Sequence, residues 1–210
     1  MRPVTIALSL SLALAAPAAA QQSGLAAVAI NNAATGITTS LTLPTGGYYD
    51  SAVLIDAGTY TSTIDLTQIN GGAGVWLGAA QNATINGTGA VAANTAGNYQ
   101  IGTNASATTT LTFGATNILT GGSNNVIVGD PRNRIGGVTQ GTGTVVINQN
   151  QNFGGITKVN PGSILRIDGA AAINSPLSSG TVFIPGGTLL LGNNDNSGAN
   201  LANTTFNLTQ

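Results

Sequence analysis

The chain has 210 residues, of which only 5% are charged: 5 Lys or Arg against 6 acidic side chains, for a net charge of −1. So few cations cannot neutralise a row of phosphates, which disfavours nucleic-acid binding, and no nucleic-acid partner is expected. With no His and no Cys, His-based triads, thiol nucleophiles, disulfides and the usual zinc ligands are excluded too, and neither metal nor cofactor is expected.

Met1-Arg2-Pro3 supplies a positive charge, Val4 to Ala15 is an apolar run, and Ala18-Ala19-Ala20 precedes Gln21-Gln22. This order of charge, apolar core and small residues predicts a signal peptide over 1–20, and hence export. The apolar core is too short for a permanent membrane anchor, and no later window is long enough. About 190 residues remain after cleavage, enough for one domain with a real core. Ordinary domains are roughly 25% charged, so this surface must be hydrated by Asn, Thr, Ser, Gln and Gly.

Residues 21–50 read as a small-residue-rich lead-in or cap, of the kind that shields the first strand edge of a stacked fold. Within them Thr38-Thr-Ser-Leu-Thr-Leu43 alternates polar and apolar and stops at Pro44-Thr-Gly-Gly47, a strand followed by a turn. Short β-branched runs then follow one another: Ala52 to Tyr60, Ser62 to Thr67, Val75 to Leu77, Ala83 to Asn86, Thr108 to Phe113, Asn125 to Val128 and Gly143 to Asn148. Gly or Asn separates them, and no window after Gln22 combines helical periodicity with caps, so the class is all-β.

The densest pattern runs from Phe153 to Asn193. Superposing Pro161 on Pro185, 24 residues on, aligns strand, Pro-Gly turn and strand in both halves, with Leu165 on Leu189 and Ile167 on Leu191. A strand-turn-strand unit repeated at this spacing predicts a right-handed parallel β-helix over 51–210, truncated at its C-terminus. Strand ends near Ile85, Phe113, Ile147, Ile167 and Leu191 are unevenly spaced, which implies loops let out of some coils or further strands. At roughly 22 residues per coil and ~4.8 Å between strands, eight or nine turns make a rod on the order of 40 Å long. Alternation puts Leu165 and Ile167 inside, and Ile164, Arg166 and Asp168 outside. The same rule leaves Val182, Ile184 and Leu190 exposed in the second repeat. Recurrent Asn beside the strands suits stacked amides hydrogen-bonded along the rod.

Two resemblances follow from these residues. Asp56-Ala-Gly-Thr-Tyr60, Leu77-Gly78 and Thr84-Ile-Asn-Gly87 together resemble the opening coils of pectin-lyase-like right-handed β-helices. Asn152-Phe-Gly-Gly-Ile-Thr-Lys-Val-Asn-Pro-Gly-Ser-Ile-Leu-Arg-Ile167 resembles the passenger-associated strand repeat of autotransporters, the bacterial type V secretion proteins. The second resemblance implies a surface-displayed rod joined to a C-terminal translocating β-barrel. The chain departs from that family by stopping at Asn203-Thr-Thr-Phe-Asn-Leu-Thr-Gln210 with no barrel, so it reads as a fragment or as a passenger whose barrel is encoded separately.

The candidate sites are few. Asp50, Asp56 and Asp65 share one early region and could form a glycosidase-like carboxylate pair, but no cation lies between Arg2 and Arg132, and turn-capping is the plainer role. Asp130-Pro-Arg-Asn-Arg134 is either a loop for an acidic glycan or a surface turn with a local ion pair, and Arg166 with Asp168 reads as a surface pair. Gly71-Gly-Ala-Gly-Val-Trp76 begins like a calcium-binding glycine-rich repeat but lacks its Asp, and no Lys follows to make a phosphate cradle. Asn82, Asn86 and Asn203 open N-glycosylation patterns that an Asn/Thr-rich chain produces by chance. Tyr48, Tyr49, Tyr60, Trp76 and Tyr99 could stack on sugars, although packing explains them more simply.

The expectation is therefore an exported, non-enzymatic bacterial rod for structural display or adhesion, at the cell surface or outer membrane or outside the cell, or in the periplasm if no translocator serves it. Its expected partners are glycans or proteins of other cell surfaces, a downstream-encoded barrel, and further copies joined through the C-terminal coil. No catalytic, cofactor-binding or metal residue is assigned. A pectin-lyase-like carbohydrate-active enzyme and a nonfunctional fragment are the alternatives.

Overall fold

A computed structural model describes residues 27–30, 52–68, 74–87, 91–103, 108–129, 134–135, 138–139, 143–168, 177, 180–192 and 205–207. The segment expected as a signal peptide, the strand expected at Thr38 to Leu43 and the C-terminal run at Asn203, Thr204 and Leu208 to Gln210 lie outside those residues.

The short β-branched runs form strands laid down in a repeating order. β1 (Ala27–Ile30) falls within the expected lead-in. β2 (Ala52–Ile55), β3 (Gly58–Tyr60) and β4 (Ile64–Asp65) make the next coil, and a 3-10 turn at Leu66–Gln68 follows. Then come β5 (Trp76–Ala79), β6 (Ala83–Ile85) and β7 (Val91–Ala92), and after them β8 (Asn98–Thr103), β9 (Thr110–Phe113) and β10 (Thr120–Gly121). The fifth coil holds β11 (Asn125–Val128), a hairpin of β12 (Arg134–Ile135) and β13 (Val138–Thr139), β14 (Thr144–Ile147) and β15 (Asn152–Phe153). β16 (Thr157–Val159), β17 (Ile164–Asp168), β18 (Thr181–Phe183), β19 (Thr188–Gly192) and β20 (Thr205–Asn207) complete the series.

The chain returns to the same two sheets once per coil. The long sheet runs β1-β2-β5-β8-β11-β16-β18-β20, and the short sheet β3-β6-β9-β14-β17-β19. Every pairing within them is parallel, as are β4 with β7 and β10 with β15; among the described strands only the β12–β13 hairpin is antiparallel. No α-helix occurs among the described residues. This is an all-β, parallel-stranded chain whose topology is compatible with a parallel β-helix.

The uneven spacing has a simple origin. Ile85, Phe113, Ile147, Ile167 and Leu191 are successive partners on one ladder of the short sheet. The longest step, Phe113 to Ile147, contains the β12–β13 hairpin, which leaves the coil between β11 and β14. Both suspected causes, a loop let out and strands unseen in the sequence, are therefore present in that coil.

The core lies between the sheets and the third side of the coil. Val53, Leu77, Ile101 and Val126 enter from the long sheet, Ile85, Phe113, Ile147 and Ile167 from the short one, and Ile64, Leu119 and Phe153 close the third side. Burying each such side chain contributes roughly 1.5–3 kcal/mol, and the contribution recurs coil after coil. Amides hydrogen-bond from one coil to the next: Asn125 Nδ2 donates to Asn98 Oδ1 at 2.9 Å, and the Ile156 N–H donates to Asn125 Oδ1 at 3.0 Å.

The Asn152 to Thr157 motif marks a corner where coils touch backbone to backbone. Phe153 is fully buried. A Cβ on Gly154 would come within 2.1 Å of the Gly122 carbonyl oxygen, one on Gly155 within 2.5 Å of that of Asn124, and one on Gly180 within 2.0 Å of that of Gly155. The glycines are there because no side chain fits between successive coils at this corner.

One expectation is corrected. Leu165 and Ile167 are buried and pair with Leu189 and Leu191 as the 24-residue repeat requires. On the preceding strand, however, Thr157 pairs with Val182 and Lys158 with Phe183, one residue beyond that repeat. Val182 therefore points inward and is completely buried, and Ile184 packs half-buried against the core. The turns explain the slip. Asn160-Pro161-Gly162-Ser163 closes with the Ser163 N–H donating to the Asn160 carbonyl at 3.2 Å and Gly162 at φ 74°, a type II arrangement. At the equivalent corner the Gly186 N–H donates to the Ile184 carbonyl at 2.8 Å, a tighter turn that uses one residue fewer between the strands. Leu190 is exposed as expected, at 43%, but Leu191, expected inside, is 58% exposed. β19 is the last strand of the short sheet, so Leu191 rests on Ile167 with no described strand of that sheet beyond it.

Candidate functional site

Asp56 and Asp65, the described early aspartates, are engaged separately. Asp56 lies at the corner between β2 and β3, where its Oδ1 accepts from the Ala57 N–H at 2.8 Å and from Gln81 Nε2 of the next coil. Asp65 ends β4, on another side of the coil. Its Oδ1 accepts from the Thr67 N–H at 2.9 Å and from Thr67 Oγ1 at 2.6 Å, and its Oδ2 accepts from Gln68 Nε2 at 3.1 Å. Burial pushes this carboxyl up, but the hydrogen bonds from Thr67 and Gln68 outweigh it and hold the group below its ordinary value of 3.8. An acid catalyst needs a carboxyl kept protonated at working pH, and Asp65 is tuned the other way. Asp50 lies outside the described residues.

The remaining candidates fall into place one by one. Arg166 Nη2 sits 2.7 Å from Asp168 Oδ2 on the outer side of β17, the surface pair expected from their spacing. Asp130, Pro131, Arg132 and Asn133 lie outside the described residues, and Arg134 opens β12. Of Gly71 to Trp76, the described residues are Gly74, Val75 and Trp76, the last two buried. Asn82 is engaged, its Oδ1 accepting from the Thr110 N–H at 2.9 Å, while Asn86 is exposed. Tyr48 and Tyr49 lie outside the described residues. Tyr60, Trp76 and Tyr99 are buried. Tyr99 Oη both donates to the Thr120 carbonyl and accepts from the Thr120 N–H, each at 3.0 Å. Burial is the main influence on the Tyr60 phenol and pushes its pKa up; its hydroxyl donates to the Asp56 carbonyl at 3.0 Å. None of the three offers a ring to a ligand.

No group of His, Cys, Asp or Glu able to hold a metal occurs among the described residues. Nor is any described helix long and apolar enough to cross a membrane.

What the strand register does assemble is an uncharged polar array on the outer face of the short sheet. Thr59, Thr84 and Thr112 are successive partners on β3, β6 and β9. Each is flanked by residues that turn into the core: Tyr60, Ile85 with Ala83, and Phe113 with Leu111. Thr110 and Thr144 form a second column beside the first, and Thr110 is fixed by donating both N–H and Oγ1 to Asn82 Oδ1. Further along the first column come Val146, which is buried, and then Arg166. The sequence carries a weak trace of the array: each threonine of the first column precedes an apolar or aromatic core residue. The irregular steps between coils hide that they stack.

Comparisons of the chain with protein-family models, curated proteins and solved structures found no match.

Proposed function

We propose that this chain is an exported bacterial surface or secreted rod, a right-handed β-helix of autotransporter-passenger type, that serves structural display or adhesion and performs no catalysis. The observation that carries the reading is the Asn152 to Thr157 motif. The residues through which the sequence resembles passenger repeats are those the coil junction needs: a buried Phe153, and glycines at 154 and 155 where a Cβ would strike the preceding coil. The low charge and the leader over 1–20 support export. The engagement of Asp56 and Asp65 in local hydrogen bonds supports a non-catalytic role. The partners proposed are glycans or proteins of other surfaces, a barrel translocator if one is encoded downstream, and further copies of the chain.

Export is tested by expressing the full sequence in a Gram-negative host and sequencing the N-terminus of the mature protein. Cleavage after Ala20, leaving Gln21 first, is the expected result. A chain that stays uncleaved in the cytoplasm would overturn the export reading. Release of products from uronic-acid polymers, abolished by Asp56→Asn or Asp65→Asn, would overturn the non-catalytic one.

A further inference from the structure

We propose that Asn86 is a self-modification site: its side-chain amide is lost through a cyclic imide formed with Gly87, leaving aspartate or isoaspartate in its place. Asn86 follows β6 at an exposed corner of the coil. Hydrogen bonds hold the chain up to this residue and no further. The Gly114 N–H donates to the Ile85 carbonyl, and the Asn86 N–H donates to the Tyr60 carbonyl, both at 2.8 Å. The next peptide group is different: neither the Asn86 carbonyl nor the Gly87 N–H has a hydrogen-bond partner among the described residues.

The side chain is equally unengaged. Asn82, Asn94, Asn98, Asn124, Asn125 and Asn160 all have their amides in hydrogen bonds. That of Asn86 has no partner among the described residues. None of those six precedes a glycine, whereas Asn86 does. The neighbouring coil adds no side chain beside it, because the adjacent residue is Gly114, where a Cβ would lie 3.2 Å from Asn86 Oδ1.

Glycine at 87 has no Cβ to obstruct the approach of its nitrogen to Asn86 Cγ, and its wide φ/ψ range lets the two meet. The Gly87 nitrogen bonds to Cγ, the Cγ–Nδ2 bond breaks, and the Gly87 N–H proton departs with the amide as ammonia. Water then opens the imide. Attack at Cγ gives aspartate, and attack at the Asn86 backbone carbonyl carbon gives isoaspartate, which adds a methylene to the main chain. Neither step needs an oxidant or a reductant. Each event adds one negative charge to a chain whose net charge is −1. β6 pairs with β3 and β9 through residues that precede the modified peptide, so the stack of coils is expected to survive the change. The inference does not depend on the display reading, and either stands if the other fails.

The test incubates the purified folded chain at neutral pH beside a synthetic peptide of the sequence from Thr84 to Thr88. Position 86 is followed in both by peptide-mapping mass spectrometry and an isoaspartate-specific assay. Mapping keeps it apart from Asn70, which also precedes a glycine. The folded chain is expected to exchange NH2 for OH at position 86 within about tenfold of the peptide's rate, a margin equivalent to ~1.4 kcal/mol of local opening. It should also gain an acidic series in isoelectric focusing. Gly87→Ala is expected to slow the exchange, and Asn86→Gln to abolish it at this site; the comparison of wild type with peptide holds even if a variant fails to fold. A folded chain that keeps its Asn86 amide after the peptide has lost its own, or that loses it more slowly than that margin, overturns the proposal. An unchanged rate in folded Gly87→Ala does so as well, because the imide would then not be the route.

Discussion

At Asp65 a single carboxylate shows how local hydrogen bonding fixes a role that sequence left open. Three donors from Thr67 and Gln68 converge on it, and the carboxylate caps the 3-10 turn that begins at Leu66. Its folded pKa is depressed, so the stabilisation it provides is present in full above the unfolded value, near 3.8, and disappears as the pH falls through the folded one. Asp65→Asn keeps one acceptor oxygen and removes the charge. The variant should be less stable than wild type at pH 7, by about 1 kcal/mol, and the difference should shrink as acid protonates the wild-type carboxylate. Urea unfolding of both proteins at neutral pH and in acid measures this. A difference that stays constant down to the acid limit would show that the charge contributes nothing.

Among the elements, β18 is the sharpest case, because one residue decides its facing. A strand's side chains alternate, so a slip of one register position exchanges its inner and outer sets. Val182 and Leu190 are therefore a matched pair for measurement. Val182→Ala should cost about 2 kcal/mol, from the lost transfer of two carbons plus the cavity left behind, while Leu190→Ala should fall within about 0.5 kcal/mol of wild type. Equal losses, or a larger one at Leu190, would mean that the repeat holds its 24-residue register through β18 as well. The same strand shows what is legible in such a sequence. Alternation, the Pro-Gly corners and the Leu165–Leu189 and Ile167–Leu191 pairings all follow from residue type and spacing. The facing of β18 does not, since it depends on whether a turn consumes one residue more or fewer, and Pro-Gly-Ser and Pro-Gly-Gly look alike on paper. The threonine array is harder still to foresee. Its second column exists only once the long step containing the β12–β13 hairpin has been assigned, and in both columns register between coils, not spacing along the chain, brings Thr84 beside Thr112 and Thr110 beside Thr144.

For the molecule as a whole, stability is a sum over coil-to-coil interfaces, and the terminal coils have only one neighbour each. Among the described residues the short sheet ends at β19, where Leu191 sits on buried Ile167 yet is 58% exposed, beside Leu190 at 43%. An edge strand that carries adjacent exposed leucines is a template for another strand. Fully covering a leucine contributes roughly 1.5–3 kcal/mol. With about half of each side chain already covered, the two together still offer an amount of that order. The net charge of −1 supplies little repulsion to oppose contact. The 210-residue chain is therefore expected to self-associate through this end, with the associated fraction rising with concentration in sedimentation equilibrium. The double variant Leu190→Lys, Leu191→Lys puts two charges on the exposed edge, the device by which natural sheets resist pairing, and should sediment as a monomer without loss of folded structure. If the wild type is itself a monomer at every concentration, the leucines are tolerated exposure and not a contact surface; if the double variant associates as strongly as wild type, copies meet at some other place on the molecule.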